Sequence, residues 1–207
     1  MNRLPPKHFK TSYGGFTGGG QEYVITRPDT PRPWVNVVSN GDYGFAVSQA
    51  GGGYSWRTHA SLNRLTRWEQ DMIRDEDGRY LYIHDDETGE TWSAALQPVQ
   101  PAFQAYECRH GLGYTTYRST YAGIECTWTL TVAPDDPLEI WLVELTNRSG
   151  EARRLSLFSY VEWLLGAAPD WHREFHRIFI ETSYHSESRA ILAKKNLWDL
   201  PGVSGPG

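Results

Sequence analysis

Cysteine and long apolar runs are both scarce in this sequence. Its 207 residues include only two cysteines, Cys108 and Cys126, which is too few for a disulfide framework. No run of about 18 apolar residues occurs, so we expect no membrane-spanning helix. The first ten residues are polar and lack the pattern of a secretory leader. These absences predict a cytoplasmic protein that does not contact a membrane.

Basic residues are fewer than acidic ones. There are 20 Lys and Arg against 25 Asp and Glu, and the formal net charge is -5. A surface that binds nucleic acid needs a basic stripe to neutralise the phosphate backbone. The sequence contains no such stripe, and we therefore expect no nucleic acid partner.

The residue patterns that mark hydrolytic centres are missing as well. Ser55, Ser61 and Ser159 each lack the Gly-x-Ser-x-Gly motif of a nucleophilic serine. The acidic segments at 75–77, 85–86 and 135–136 lie among turn-forming residues, and we interpret them as solvated turn acids. We therefore predict that this chain holds no catalytic residue, no metal and no cofactor.

Aromatic residues, in contrast, are abundant and make up 14% of the chain. Many lie in short segments that alternate apolar and polar residues between turn-forming Gly, Pro, Asn and Asp. The clearest hairpin joins Arg79 to His84 with Thr91 to Ser93 through the turn at 85–90. Further strands are predicted at 102–108, 114–121, 123–132, 138–146, 153–163, 174–184 and 189–195. This spacing predicts an all-β antiparallel sandwich.

Two segments differ from this pattern. Leu62 to Asp75 offers a plausible short helix, and the glycine-rich stretch Gly14 to Gly20 is typical of a mobile lead-in. We therefore predict a flexible lead-in over residues 1–21 and one β-sandwich domain over residues 22–207.

The segment Gly51 to Trp68 has the chemistry of a sugar-binding loop. Tyr54, Trp56 and Arg57 closely follow three glycines. Aromatic rings stack on the apolar faces of pyranose rings, guanidinium groups hold hydroxyl or phosphate oxygens, and glycines let the backbone approach a ligand. The alternative is that Trp56 and Trp68 are core residues that close one end of the sandwich.

A second cluster spans Asp170 to Arg177 and combines two imidazoles, two guanidinium groups and two aromatic rings. His172 and His176 have a spacing that could bind zinc on a helix, but no pattern such as His-Glu-x-x-His accompanies them. Another alternative is a surface strand whose arginines pair with Glu174 and Glu181.

Several segments, in a fixed order, carry a resemblance to a known family. They are Glu22 to Trp34, Asn40 to Gly44, Gly51 to Trp68, Arg109 to Thr115, Leu145 to Gly150 and Leu157 to Trp163. Together they resemble the amino-terminal domain of the glycoside hydrolase family 94 phosphorylases. That family includes cellobiose, cellodextrin and chitobiose phosphorylases and the phosphorylase-like domains of cyclic β-1,2-glucan synthases.

The resemblance implies a galactose mutarotase-like β-supersandwich. In the family this domain precedes a helical linker and an (α/α)6 barrel that carries the catalytic acid, so we interpret the chain as a fragment that is inactive alone. For the full-length protein the resemblance implies an inverting hexosyltransferase. Inorganic phosphate, the co-substrate, attacks a β-linked disaccharide or oligosaccharide and yields an α-sugar 1-phosphate. It also implies a homodimer.

The family also suggests which residues contact the substrate. A Phe-x-Arg sequence at the place of Phe175 and Arg177 points from the sandwich toward the sugar pocket, so these two residues join Tyr54, Trp56 and Arg57 as candidate substrate-binding residues. Two alternatives stay open. The chain could be a free-standing carbohydrate-binding or mutarotase-like sandwich, or a purely structural dimerisation domain.

Overall fold

A computed structural model describes residues 8–69, 75, 78–168 and 177–196, and for Arg177 it describes the backbone only. These residues form sixteen strands and one 3₁₀ helix, Arg177–Phe179. The strands are β1 (Gly14–Phe16), β2 (Glu22–Ile25), β3 (Val35–Ser39), β4 (Tyr43–Ser48), β5 (Gly53–Arg57), β6 (Arg64–Thr66), β7 (Arg79–Asp85), β8 (Thr91–Ser93), β9 (Ala105–Gly111), β10 (Tyr114–Tyr121), β11 (Ile124–Val132), β12 (Glu139–Asn147), β13 (Leu155–Val161), β14 (Trp163–Gly166), β15 (Ile180–His185) and β16 (Ala190–Lys195).

The largest sheet has six strands in the order β1-β2-β9-β10-β11-β12, and every pair in it is antiparallel. Strand β11 shows why this region is a sheet. Its buried residues, Ile124, Cys126, Trp128, Leu130 and Val132, alternate with half-buried Glu and Thr residues. Successive side chains of a strand point to opposite faces, so this alternation buries one face and exposes the other. The predicted all-β antiparallel fold is confirmed.

A second layer covers the inner face of the six-stranded sheet. It consists of a five-stranded sheet, β14-β6-β5-β4-β3, and a three-stranded sheet, β13-β7-β8, while β15 and β16 form a separate hairpin. Buried residues of both layers form one core cluster, which includes Phe45, Ile83, Trp92, Tyr117 and Trp128. The core therefore lies between two layers of sheet, as in a sandwich.

The strand that was predicted over 153–163 is divided between two sheets. It breaks at Glu162, so that β13 pairs with β7 while β14 pairs with β6. The backbone of Glu162 joins these sheets, because its N–H donates to the carbonyl of Gly78 and its own carbonyl accepts the N–H of Arg67. Continuous apolar alternation could not reveal this break, since both halves have strand character.

Other predictions for the secondary structure have mixed outcomes. The predicted hairpin of β7 and β8 is confirmed. The predicted helix is wrong over Leu62 to Glu69, where β6 pairs with β5 and β14 instead, and residues 70–74 lie outside the described part. Sheet pairing here outweighs a weak helical pattern. Of the strand predicted over 174–184, residues 177–179 are 3₁₀ helix and strand structure begins at Ile180.

The glycine-rich stretch Gly14 to Gly20 contains strand β1, which pairs with β2. A Cβ on Gly14 would lie 1.9 Å from the carbonyl oxygen of Val24. Glycine at position 14 therefore lets β1 and β2 approach closely. The composition of this stretch suggested a mobile segment, whereas Gly14 is needed for the packing of two strands. The domain limits at residues 21 and 22 stay a prediction.

Two further observations concern the described residues only. Among them, no helix is long and apolar enough to cross a membrane. No group of three or more of their His, Cys, Asp and Glu side chains is placed so that it could hold a metal ion.

Cys108 and Cys126 are buried free thiols, and burial raises the pKa of both.

Asp85 is a buried carboxylate at the end of β7, contrary to the interpretation of segment 85–86 as solvated turn acids. It accepts hydrogen bonds from the backbone N–H groups of Glu87 and Thr88, at 2.9 and 3.1 Å, and from Arg153 Nε at 2.7 Å. The hydrogen bond from Glu87, followed by that from Arg153, lowers the pKa of Asp85. A depressed carboxyl pKa stabilises the fold above the pKa of the unfolded chain, and this stabilisation is lost as the pH falls through the folded-state pKa.

We predict that Arg153→Gln lowers the thermal unfolding midpoint at pH 7, and that the difference from the wild type narrows in acid, as the pH falls through the lowered folded-state pKa of Asp85. Thermal unfolding followed by circular dichroism between pH 7 and pH 3 measures this. Arg148→Gln is the control, because Arg148 and its partner Glu125 are 64% and 45% exposed and exposed pairs contribute little. A difference that stays constant with pH would contradict the role given to Asp85.

Candidate functional site

Strand β5 carries three of the candidate substrate-binding residues, Tyr54, Trp56 and Arg57. Tyr54 and Trp56 are two positions apart and share the outer face of the five-stranded sheet, whereas Ser55 between them is buried on the inner face. On the neighbouring strand β4, Ala46 lies opposite Tyr54 and Gly44 lies opposite Trp56. A Cβ on Gly44 would lie 2.4 Å from Cζ2 of Trp56, so the indole ring needs a glycine beneath it.

The rings on this face form an aromatic stack, which consists of Trp56, Tyr54 and Trp68 together with the guanidinium group of Arg64. The Tyr54 centroid lies 5.4 Å from that of Trp56 and 5.7 Å from that of Trp68. Cζ of Arg64 lies 3.7 Å from the Tyr54 centroid, and Nη1 of Arg64 donates to the carbonyl of Trp68 at 3.0 Å. Tyr54 is thus at the centre of the stack, and cation–π attraction adds to its packing.

The indole ring of Trp68 is held in place by the buried carboxylate of Asp75. Its indole N–H donates to Oδ1 of Asp75 at 2.7 Å, and the hydroxyl of Ser48 donates to Oδ2 of the same residue. Asp75 is buried, which raises its pKa, although the two hydrogen bonds act in the opposite direction. The interpretation of Asp75 as a solvated turn acid is therefore wrong. Trp68 is buried but lies outside the core cluster between the layers, whereas Trp56 is partly exposed.

The three glycines before the stack are required by backbone packing. A Cβ on Gly52 would lie 2.2 Å from Oδ1 of Asp75, and a Cβ on Gly53 would lie 2.1 Å from the carbonyl oxygen of Ala46. Gly51 has a φ of 103°, a conformation that favours glycine. These contacts explain the glycines without a ligand.

Arg57 ends β5 at the surface, where Nε lies 3.3 Å from Oδ2 of Asp42 and both side chains are about half exposed. In the loop that follows, Nδ1 of His59 accepts the backbone N–H groups of Ser61 and Leu62, each at 3.1 Å. The imidazole therefore shapes the loop between β5 and β6.

The loop after β5 contacts the chain just before the second cluster. Ala168 is the last described residue before position 177, and its N–H donates to the carbonyl of Ser61 at 2.7 Å. The hydroxyl of Ser61 donates back to the carbonyl of Ala168 at 3.0 Å. On the other side of the cluster, Lys195 of β16 donates to the carbonyl of Leu164 in β14 at 3.2 Å.

Phe175, together with His172 and His176 of the zinc alternative, lies outside the described residues. Arg177 begins the 3₁₀ helix before β15, and only its backbone is described. Glu181, which the surface-strand alternative paired with an arginine, contacts Lys194 at 2.9 Å and accepts from Asn196 at 2.6 Å. The structure thus brings the loop after β5 beside the start of the segment that contains Phe175, and the substrate contacts themselves stay predictions.

Sequence analysis missed the residues that support the stack, namely Arg64 and Asp75. The chain contains many other arginines and aspartates in polar segments, and no local pattern distinguishes these two. Their roles arise because β6 pairs with both β5 and β14, which places Arg64 opposite Trp56 and Gly166.

The family described as "Glycosyl hydrolase 94, supersandwich domain" matches residues 21–202. The chain is 41% identical to an N,N'-diacetylchitobiose phosphorylase of Vibrio furnissii, over 73% of this chain and 19% of that protein. It is 34% identical to a solabiose phosphorylase of Paenibacillus borealis, over 91% of this chain and 25% of that protein. It is 35% identical to the cyclic beta-(1,2)-glucan synthase NdvB of Rhizobium meliloti, over 76% of this chain and 6% of that protein.

The packing of Trp56 on Gly44 yields a prediction about stability. Gly44→Ala should destabilise the fold by about 1 to 3 kcal/mol, because the added methyl group displaces the indole from the stack. Gly166→Ala is the matched control in β14 of the same sheet, where the nearest atom to a new Cβ is Nζ of the flexible Lys195 at 3.3 Å. Urea denaturation followed by tryptophan fluorescence measures both variants. Equal stability of the two would show that Trp56 does not depend on Gly44.

Proposed function

The chain belongs to the family of glycosyl hydrolase 94 supersandwich domains, and from this membership we propose that it is the sandwich part of a β-glycoside phosphorylase. The match over residues 21–202, together with similarity to two phosphorylases that act on different disaccharides, carries the proposal. The chain spans between a fifth and a quarter of the length of these two relatives. The activity therefore belongs to a longer protein of which this chain supplies one domain.

The proposed reaction is phosphorolysis with inversion. A carboxylic acid protonates the glycosidic oxygen while inorganic phosphate attacks the anomeric carbon from the opposite face, which yields an α-sugar 1-phosphate. Phosphate is already an anion, so no second carboxylate is needed as a base. The site needs arginine, histidine and backbone donors that hold phosphate in line. We place the catalytic acid outside this chain, so the chain alone should be inactive.

Within this domain we assign substrate contacts to Phe175, Arg177 and the outer edge of β5. The hydrogen bonds between Ser61 and Ala168 support a common site, because they join the loop after β5 to the residue before the second cluster. On β5, Trp56 and Arg57 offer partly exposed surface. Tyr54 already contacts Trp56, Trp68 and Arg64, so its role is to hold the indole of Trp56 in place.

A second candidate function is a sandwich that binds carbohydrate without phosphorolysis. The exposed edge of the aromatic stack favours it, since such a ring could bind a saccharide with no further domain. A panel of β-linked disaccharides incubated with phosphate and the full-length protein distinguishes the two. Release of a sugar 1-phosphate supports phosphorolysis, and sugar binding without any such product supports the second candidate.

The sandwich also has surface suited to contact with further protein. Leu142 of β12 and Phe158 of β13 are 60% and 55% exposed, and Ile140 and Leu157 beside them are exposed as well. Ile140 and Leu142 lie two positions apart and so share one face of β12, and exposed apolar side chains grouped in this way mark interfaces. We propose that this surface packs against the rest of the full-length protein or against the second subunit of a homodimer.

The role of Arg177 yields a kinetic prediction. A guanidinium group that holds a sugar hydroxyl or phosphate contributes about 1.5 to 3 kcal/mol, and lysine cannot reproduce its planar fork. Arg177→Lys in the full-length enzyme should therefore lower kcat/KM for phosphorolysis by roughly tenfold to a hundredfold. The measurement is the initial rate of sugar 1-phosphate release.

Arg148→Lys serves as the control for that assay, because Arg148 lies on the surface in the turn after β12. Its kinetics should match the wild type. If Arg177→Lys is also unchanged while Trp56→Ala alone loses activity, the substrate contacts lie on β5 and the assignment of Arg177 is wrong.

A further inference from the structure

A cleft of about 370 Å³ opens at one end of the space between the two layers, on the inner side of β5. This is the opposite face of β5 from the aromatic stack. Its lining includes Ser55, Arg79, Glu139, Trp141, Ser159 and Trp163. Pockets that bind small ligands begin at about 300 Å³ and combine apolar surface with a few polar groups.

Arg79 is the unusual residue of this cleft. Its side chain is 2% exposed, and its guanidinium group lies 5.1 Å from the ring centroid of Phe45. Nε lies 2.8 Å from Oε1 of Glu139. Among the described residues, none of its buried guanidinium nitrogens makes a hydrogen bond: Nε has only this ion pair, and Nη1 and Nη2 have no partner. Buried polar groups are rarely left unpaired, so these two donors are suited to a ligand in the cleft.

Glu139, in contrast, is fully engaged. Ser55 Oγ donates to Oε2 at 2.6 Å, Tyr43 donates to the same oxygen at 3.2 Å, and the indole N–H of Trp141 donates to Oε1. Burial, and then the charge of Glu139, raises the pKa of Tyr43, so its hydroxyl remains a donor. The carboxylate therefore neutralises Arg79 and leaves the two terminal nitrogens of the guanidinium group as free donors.

This balance of charge selects the class of ligand. A full anion would meet the carboxylate of Glu139 beside the guanidinium group and would gain little net attraction. A neutral ligand with several acceptor oxygens avoids that repulsion. Trp141 and Trp163 add aromatic surface for an apolar ring face, and the hydroxyl of Ser159 adds a donor or acceptor.

We propose that this cleft binds a neutral sugar ring, with Arg79 donating to its hydroxyl oxygens and the indole of Trp163 packing on it. The site is separate from the substrate contact assigned to Trp56, because Ser55 and Trp56 point to opposite faces of β5. The proposal does not depend on phosphorolysis, since the cleft needs no phosphate.

Isothermal titration of the full chain with cellobiose, glucose and inorganic phosphate tests the proposal. We expect saturable binding of at least one of the two sugars and no phosphate binding that depends on Arg79. Arg79→Gln and Trp163→Ala should each weaken sugar binding at least tenfold, whereas Arg148→Gln, in the exposed turn after β12, should leave it unchanged. Trp163 is partly exposed, so its variant should stay folded even if Arg79→Gln does not.

Three results would overturn the proposal. Absence of sugar binding at millimolar concentration would mean that the donors of Arg79 serve another partner, such as the carbonyl groups of a further polypeptide. Phosphate binding that Arg79→Gln removes would show an anion site. Sugar binding that Trp56→Ala removes and Trp163→Ala does not would place the sugar on the outer face.

Discussion

The alternation of side chains along β5 divides this strand between two environments, and both candidate sites depend on it. The six-stranded sheet packs on the inner face of the five-stranded sheet, so Ser55 points into the sandwich and reaches Glu139. Tyr54 and Trp56 must then point outward. A shift of one residue in the register of β5 against β4 would bury both rings and place Ser55 on the surface. Gly44 and Ala46 oppose that shift, because only small residues leave room for the rings.

Carboxylates with little exposure hold distant segments of the chain together. Asp75, Asp85 and Glu139 are each held by hydrogen-bond donors from a different part of the chain, which offsets the cost of removing a carboxylate from water. Asp75 joins β4 to Trp68, Asp85 joins the end of β7 to Arg153, and Glu139 joins β12 to β5. Removal of one partner from such a pair leaves an uncompensated charge, so these contacts also specify the arrangement of the layers.

The two sites on β5 have different chemistry. On the outer face, the stack and Arg57 lie beside the loop that contacts Ala168, and this is the face to which we assign substrate contacts. On the inner face, Arg79 and Glu139 neutralise one another within a cleft lined by indoles and hydroxyls. A sandwich domain with both would offer its enzyme two surfaces for saccharide on opposite faces of β5.

The sequence by itself determined the all-β class, most strands and the family, because strand alternation, turn residues and ordered motifs are local properties of the chain. It also identified Trp56 and Arg57 as candidate substrate-binding residues, and the structure leaves both at least partly exposed. Tertiary structure decided the rest. Pairing with two neighbours made β6 a strand where a helix was predicted, and a change of partner divided 153–163 at Glu162. The glycines before Tyr54 serve backbone packing, and Arg79 meets Glu139 across 60 positions of sequence. Such contacts have no local signal, since they depend on which sheet edges and faces come together.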